Sequence, residues 1–202
     1  MLWASILTAP FGLTEPIFVP AYWSPPSLFN LAANTGFDIE SIIFCFAVGG
    51  IGSVLYKTFV KTKHIKMNRH EKSLPRHKFH ILALLSPIIT FTPLYLLAPI
   101  NPIYSASMAM AVGAISAMLC RPDLAKKILA GAALFLAMYF LFFLTFNLAY
   151  PGIVEMVWNL EAISGILIFG VPLEELLFAI TFGALWSSYY EHINWYRLAT
   201  KK

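Results

Sequence analysis

The stretch from Gly170 to Phe178 reads GVPLEELLF and places two adjacent carboxylates, Glu174 and Glu175, at the start of an otherwise apolar segment that continues to about Tyr190. An ionisable side chain within a membrane segment costs at least about 2.5–3.5 kcal/mol, and such residues usually face the interior of a helical bundle and mark a functional site. We therefore treat this stretch as the candidate functional core.

The composition places the chain in a membrane. Of the 202 residues 59% are hydrophobic and only 12% are charged, and the mean hydropathy is +0.72. These values exclude a soluble domain and a soluble protein with one anchor. We expect a single all-α integral membrane domain over residues 1–202, a helical bundle of about five to six transmembrane segments.

The candidate core has an earlier counterpart in the chain. After a shift of 134 positions, six earlier residues align with identical residues of the candidate core. In order, Gly36, Glu40, Phe44, Gly49, Ser53 and Tyr56 align with Gly170, Glu174, Phe178, Gly183, Ser187 and Tyr190. With one residue of slack, Pro16, Val19 and Trp23 lie over Pro151, Val154 and Trp158. This pattern predicts an internal repeat, with copy one at 14–58 and copy two at 149–192, linked by a basic loop at 61–78 and helices within 79–149.

Five apolar runs are long enough to span a bilayer: about 36–60, 79–98, 102–120, 128–149 and 161–192. Residues 1–13 predict a short or half-inserted helix, because Pro10 and Gly12 interrupt them. Threading the chain through a bilayer puts all fourteen Lys and Arg on the side of loop 61–78 and the C-terminus. The positive-inside rule makes that side cytoplasmic in an inner membrane, and both Glu-bearing helices then run in parallel from outside to inside.

The remaining polar residues suggest no second chemistry. Cys45 and Cys120 are interpreted as buried thiols, and His192 as a residue facing the lipid headgroups. No group of His, Cys and carboxylates has the sequence spacing of a metal site, so we expect no metal. The net charge of +4 lies in cytoplasmic loops and predicts no nucleic-acid partner. The first dozen residues lack a basic region and a cleavage site, so no removable signal peptide is expected.

Each Glu-bearing helix is expected to have two distinct faces. At about 100° per residue, Phe178 lies near the face of Glu174, whereas Gly183 and Ser187 fall on the opposite face. The pattern Gly-x-x-x-Ser allows close approach of helix backbones in lipid. We therefore expect one packing face and one face that presents Glu and Phe.

The Glu174–Glu175 pair supports three interpretations. The carboxylates could cap the helix N-terminus after Pro172. They could act as acid and base, because two close carboxylates in a poorly hydrated site do not both ionise easily. They could also carry protons or cations in transport.

The motif GVPLEELLF, together with Arg121-Pro122-Asp123 and the connection from Tyr150 to Trp158, resembles the lycopene cyclase domain of small heterodimeric bacterial and fused archaeal and fungal carotenoid cyclases. The resemblance covers most of residues 102–192. It implies non-redox cyclisation of a linear carotenoid or another polyisoprenoid end group without a flavin or other cofactor, and it assigns activity to Pro172, Glu174 and Glu175. An acid would protonate the terminal alkene, an internal double bond would capture the cation, and a base would remove a proton.

The resemblance also suggests roles for other residues. Glu174 is our candidate for the acid, because its position recurs at Glu40, and Glu175 would be the base or an orienting partner. Glu40 would be a supporting acid, although copy one lacks the proline and the second acid. The cation and the polyene would contact aromatic side chains, and the candidates for this are Phe44, Phe178, Trp158 and Trp186.

Two other function classes compete with the cyclase interpretation. An intramembrane protease of the prenyl-processing type would need an Arg close behind the Glu pair and His on neighbouring helices. Residues 179–183 contain no Arg, and the histidines cluster at 64–80 and 192, in cytoplasmic or boundary positions. A non-enzymatic lipid-binding or proton-coupled transport protein is the main alternative. The small size of the chain argues against a stand-alone transporter, and formation of a homodimer would weaken that objection. In either case the expected partners are membrane lipids and a hydrophobic polyene or isoprenoid.

Overall fold

The computed structural model describes residues 1–200 and consists mainly of helices, which confirms the expected all-α bundle. Ten α-helices occur in this part of the chain: α1 (Leu2–Thr8), α2 (Glu15–Phe18), α3 (Leu31–Thr35), α4 (Ile39–Phe59), α5 (Arg69–Lys72), α6 (His80–Leu97), α7 (Pro102–Cys120), α8 (Ala125–Ala149), α9 (Ile153–Val157) and α10 (Leu173–Asn194). The strands are short: β1 (Thr62–Lys66), β2 (Leu167–Ile168), β3 (Val171–Pro172) and β4 (Tyr196–Thr200).

Four helical stretches within the described residues are long and apolar enough to cross a membrane. They are Ile39–Phe59, Pro75–Leu97, Pro102–Cys120 and Pro122–Ala149. The last two match the apolar runs predicted at 102–120 and 128–149. The run predicted at 161–192 differs, because α10 begins only at Leu173 and the residues before it form the β2–β3 hairpin.

The N-terminal segment is longer than the sequence suggested. A 3₁₀ stretch, Ala9–Thr14, joins α1 to α2 directly, and Ala9 and Glu15 have right-handed helical backbone angles, so helical structure runs from Leu2 to Phe18. Small residues let this segment lie close against α4. A Cβ added to Gly12 would lie 2.6 Å from Cα of Ile42, and one added to Gly49 would overlap Thr8. At 1.5–2.0 Å per residue the segment is about 28 Å long.

Helices α4 and α10 run in the same direction, as predicted from threading the apolar runs through a bilayer. Trp186 Nε1 donates to the carbonyl oxygen of Gly49 at 2.9 Å, and one or two turns further along both helices Lys57 Nζ lies 3.5 Å from Glu191 Oε1. On its other side α10 packs against α8, where a Cβ on Gly183 would lie 2.6 Å from that of Phe135. This confirms the predicted packing role of the small residues.

One end of the bundle, here called the charged end, gathers basic residues around Glu191. The carboxylate of Glu191 binds Lys127 Nζ and His64 Nε2, each at 2.7 Å. The basic loop at 61–78 is therefore not a simple solvated loop: β1 pairs antiparallel with β4, and His64 reaches into the bundle. A buried carboxylate attracts these cations, which brings the loop and the C-terminal tail together.

Candidate active site

The start of α10 is built by the chain that precedes it. The β2–β3 hairpin turns through Phe169 and Gly170, which both have positive φ, and Asn147 Nδ2 donates to the Gly170 carbonyl at 2.9 Å. Pro172 then occupies the N-cap position of α10 and is fully buried. Because the hairpin folds over the first turn, Glu174 and Glu175 are buried, with only 1% and 5% of their surface exposed.

Glu175 accepts three hydrogen bonds from three different parts of the chain. Its Oε1 accepts from Tyr22 OH at 2.5 Å and from Trp158 Nε1 at 2.8 Å, and its Oε2 accepts from Tyr139 OH at 2.8 Å. An ionised carboxylate is an acceptor only, and two or three donors stabilise its charge. The surroundings of Glu175 therefore suit a fixed negative charge.

Tyr22 lies in the turn that follows α2, and its hydroxyl is suited to stay a donor. Burial, reinforced by the charge of Glu175, raises the pKa of Tyr22 well above its ordinary range. The phenol thus remains protonated at all physiological pH values and keeps donating to the carboxylate.

Glu174 has a different environment. Its Oε1 accepts from Tyr104 OH at 2.5 Å and from the backbone N–H of Ser164 at 3.0 Å. Its Oε2 is buried and has no hydrogen-bond partner among the described residues. One oxygen of Glu174 is thus held in place while the other is left free to carry a proton.

The two Trp-bearing connections of the predicted repeat meet at this site. Trp23 and Trp158 form an antiparallel bridge, with Ser24 N–H donating to Val157 O at 2.8 Å and Asn159 N–H donating to Tyr22 O at 2.9 Å. The indole rings of the two tryptophans lie 5.6 Å apart. This pairing positions Tyr22 and Trp158 together on Glu175.

Two of the four predicted aromatic contacts lie beside the carboxylates. Trp158 binds Glu175 directly, and the ring of Phe178 lies 5.9 Å from that of Tyr139, which also binds Glu175. Phe44 is partly buried against the same hydrophobic core. Trp186 instead packs between α10 and α4, where it bonds Gly49.

The structure does not bring Glu40 to the pair. Its carboxylate is exposed and accepts from the backbone N–H of Leu28 at 2.6 Å. In the repeat overlay Glu40 matches Glu174, which also accepts a backbone N–H from the preceding connection. In copy one, however, Glu40 remains open to the surroundings, and the role of supporting acid stays a prediction without support from its position.

Sequence reasoning missed a further buried acid, Glu15. It is 6% exposed, and the side chains of Ser41, Trp23 and Asp38 surround its carboxylate. In the repeat overlay Ser41 matches Glu175 and Trp23 matches Trp158. Copy one lacks a second carboxylate in α4, and Glu15 supplies one from the N-terminal segment. The overlay had already shown that copy one lacks this second acid.

Metal-ligating side chains also come together, which corrects the expectation from sequence spacing. His77, His80 and Cys120 place their donor atoms within 4.8 Å of one another at the charged end. His192 was expected to face lipid headgroups, but it is buried, with 1% of its surface exposed. Sequence spacing could not show this, because α6 and α7 run antiparallel and bring residues 40 positions apart to the same level.

The Glu pair is suited to proton transfer in a site poor in water. One carboxylate accepts three hydrogen bonds and the other keeps one buried oxygen without a partner in the described structure, so the two acids have different environments. Such a pair can give a proton to a substrate while a negative charge nearby stabilises the cation that forms.

Comparison with known proteins gives one match. Residues 101–193 match the family model described as lycopene cyclase. No curated protein and no solved structure shows a significant similarity to the chain. The matched region holds Tyr104, Tyr139, Trp158 and both glutamates, and it supports a carotenoid cyclase-like function. The segment 101–193, which is thus similar to the lycopene cyclase family, carries four of the five groups that donate hydrogen bonds to the two glutamates.

Proposed function

We propose that the chain catalyses the non-redox, acid/base cyclisation of the end group of a linear carotenoid or another polyisoprenoid within the cytoplasmic membrane. The observation that carries the proposal is the contrast between the two buried glutamates. Glu175 accepts three donors, whereas Glu174 keeps one buried oxygen, Oε2, without a partner.

In this mechanism Glu174 starts as the carboxylic acid. Its Oε2 gives a proton to the terminal double bond of the polyene, which creates a tertiary cation, and an internal double bond attacks that cation and closes the ring. A carboxylate of the pair then takes one proton from the ring carbon next to the new cation, and the double bond forms there. One proton enters and one leaves, so the product is an isomer of the substrate.

Glu175 serves in this scheme as the orienting and stabilising partner. Three donors hold its charge close to the adjacent Glu174, and a fixed negative charge in a dry site stabilises a developing cation. Trp158, Tyr139 and Phe178 add aromatic surface beside the carboxylates. A cation over an aromatic face gains about 0.5–2 kcal/mol per contact, and the same rings exclude water.

The proposal includes six membrane segments. The four apolar helices would span the bilayer together with the segment at 2–18 and with α10, which is 22 residues long. The basic loop at 61–78 and the C-terminus would face the cytoplasm by the positive-inside rule. The Glu pair then lies in the outer half of the membrane, where a lipid-dissolved polyene has direct access.

The test is pigment analysis of a lycopene-accumulating bacterial host that expresses the chain. Glu174→Gln and Glu175→Gln are compared with the parent and with Glu155→Gln, a control in which an exposed glutamate of α9 is changed. We expect cyclic carotenoids from the parent and the control and none from Glu174→Gln. Unchanged lycopene from the parent, with the protein present in the membrane, would overturn lycopene as the substrate.

An isotope measurement separates acid catalysis from other routes. Membranes containing the parent are incubated with lycopene in deuterated buffer, and the product is analysed by mass spectrometry. Because a solvent-derived proton is added and a substrate proton is lost, we expect one deuterium for each ring formed. A cyclic product without deuterium would contradict proton donation by a solvent-exchanging carboxyl group.

A further inference from the structure

Four metal-ligating side chains gather at the charged end of the bundle, at the opposite end of α10 from Glu174 and Glu175. His77 ends the 3₁₀ turn before α6, His80 begins α6, Cys120 ends α7 and His192 lies in the last turn of α10. We call these four residues the His/Cys cluster. All of them are buried, with at most 6% of their surface exposed.

The donor atoms of three of these residues already have the spacing of metal ligands. Cys120 Sγ lies 3.6 Å from Nδ1 of His77 and 3.6 Å from Nδ1 of His80. In a tetrahedral zinc site, bonds of about 2.3 Å to sulfur and about 2.0–2.1 Å to nitrogen separate the two donor atoms by about 3.5–3.6 Å. The two sulfur–nitrogen distances therefore match those of a zinc site, and all three donor atoms lie within 4.8 Å of one another.

The fourth residue offers a ligand that has no other role in the described structure. His192 Nε2 is buried and has no hydrogen-bond partner there. The ring of His192 lies 4.6 Å from that of His80 and nearly perpendicular to it. A buried polar nitrogen without a partner costs about 1–3 kcal/mol, and coordination to a metal would remove that cost.

The charges around the cluster are compatible with a cation. Arg121 follows Cys120 directly and is fully buried, but its guanidinium donates to both oxygens of Asp123, at 2.9 and 2.7 Å. This pairing offsets the positive charge of Arg121, and a Cys120 thiolate would supply the negative charge for the metal. Trp195 stacks on the His80 ring at 3.8 Å and closes the cluster from the tail side.

One contact would have to change on metal binding. Arg76 Nε donates to His77 Nε2 at 3.4 Å, which requires that nitrogen to be unprotonated. Coordination through Nδ1 leaves the proton on Nε2, so the two groups would both be donors. Arg76 is exposed and can turn towards solvent, so this weak contact does not prevent coordination.

We propose that the His/Cys cluster binds one zinc ion, with His77, His80 and Cys120 as three ligands and His192 as the fourth. Cys and His are the ligands of structural zinc sites, and a closed set of four leaves no position for a substrate. About eighteen residues of α10 separate His192 from Glu174, which is about 27 Å along the helix. The ion therefore joins the ends of α6, α7 and α10 and takes no part in the proton transfer.

The test measures metal content in the full chain purified with an affinity tag that lacks histidine. The protein is stripped with a chelator, incubated with zinc, freed of excess metal and analysed by elemental mass spectrometry. We expect about one zinc per chain in the parent and almost none in Cys120→Ser or His80→Ala. Two matched controls should keep the zinc: Cys45→Ser, which changes the other free cysteine, and His70→Ala, which changes an exposed histidine.

Cobalt gives a readout that does not depend on any variant folding. With Co²⁺ in place of zinc, the parent should show the visible bands of a tetrahedral site and an ultraviolet band from sulfur coordination, in proportion to bound metal. The thermal midpoint of the parent should also rise with zinc and fall with chelator. A parent that retains no zinc, or a Cys45→Ser protein that loses as much as Cys120→Ser, would overturn the proposal and leave sulfur–imidazole hydrogen bonds as the role of the cluster.

Discussion

Removing the hydroxyl of Tyr139 tests the view that Glu175 is a fixed charge held by three donors. Tyr139→Phe deletes one oxygen atom and leaves the ring and its packing in α8 unchanged. Glu175 Oε2 then loses the donor that binds it at 2.8 Å, while Oε1 keeps Tyr22 and Trp158. Because Oε2 accepts no other hydrogen bond in the described structure, a buried charged oxygen is left unsatisfied.

The expected loss of stability follows from that single hydrogen bond. A hydrogen bond to a charged group contributes about 1.5–3 kcal/mol, so Tyr139→Phe should lower the free energy of unfolding by about that amount. Tyr150→Phe is the matched control, because Tyr150 is 61% exposed and should change stability by no more than about 0.5 kcal/mol. Tyr104→Phe should cost less than Tyr139→Phe, because Glu174 Oε1 still accepts from Ser164.

The assay is denaturant unfolding in mixed micelles, followed by tryptophan fluorescence. A double-mutant cycle adds a second measurement: in a Glu175→Gln background the Tyr139→Phe change should cost clearly less, because the charged acceptor is gone. If Tyr139→Phe is as stable as Tyr150→Phe, or if its cost is unchanged without the carboxylate, the proposed anchoring of Glu175 is wrong.

Three further predictions concern other parts of the bundle. Gly183→Ala should destabilise by about 1–3 kcal/mol, because the new Cβ would lie 2.6 Å from that of Phe135; an unchanged unfolding midpoint would contradict this packing. Glu191→Ala should cost about 3–5 kcal/mol, because it leaves the charge of Lys127 buried without its partner at 2.7 Å, and a Lys127→Met change in the same chain should recover part of that loss. Because the pKa of Tyr22 is raised in the folded protein, its phenol should contribute fully to the free energy of unfolding below pH 10 and less above it, since the unfolded phenol ionises first. In Tyr22→Phe the free energy of unfolding should fall less steeply with pH above 10. An unchanged slope would refute the contribution of this phenol.

The helical bundle could be predicted well because the evidence for it lies in local sequence patterns. Gly183 and Ser187 repeat at positions 49 and 53, and the structure uses these small residues for close helix contacts. Parallel α4 and α10 likewise followed from threading the apolar runs, because three runs lie between them and an odd number of intervening spans makes the two helices parallel. Such features depend on spacing within one segment or on counting segments, which a sequence displays directly.

The partners of the two glutamates could not be predicted in the same way. Tyr22 is 153 positions from Glu175 and Tyr104 is 70 positions from Glu174. Nothing in the local pattern distinguishes these tyrosines from the other seven in the chain. Their roles depend on how the connections fold over the start of α10, which is a property of the tertiary structure.

Glu40 and the His/Cys cluster show two different limits of prediction from the sequence. The repeat predicted a supporting acid at Glu40 from its match to Glu174, but copy one has no hairpin like β2–β3 to cover its carboxylate, so the equivalent position is exposed. The prediction for the His/Cys cluster failed for the opposite reason. The sequence spacing suggested no metal site, but the short turn makes α6 and α7 antiparallel, so His80 at the start of α6 lies beside Cys120 at the end of α7. Drawing that antiparallel hairpin residue by residue would have revealed the contact.

The polarity of α10 has a consequence for how the protein enters the membrane. Three acidic residues lie within its 22 positions, and among the described residues it is not one of the four stretches that satisfy the length and hydropathy criteria for a membrane span. The segment at 2–18 does not satisfy them either. Four helices can therefore partition into lipid on their own during synthesis, whereas the first and last segments depend on contacts with helices already inserted. Because the side chains that donate to Glu174 and Glu175 all precede α10 in the chain, they are synthesised before it, and burial of the Glu pair follows the insertion of the helices that carry these donors.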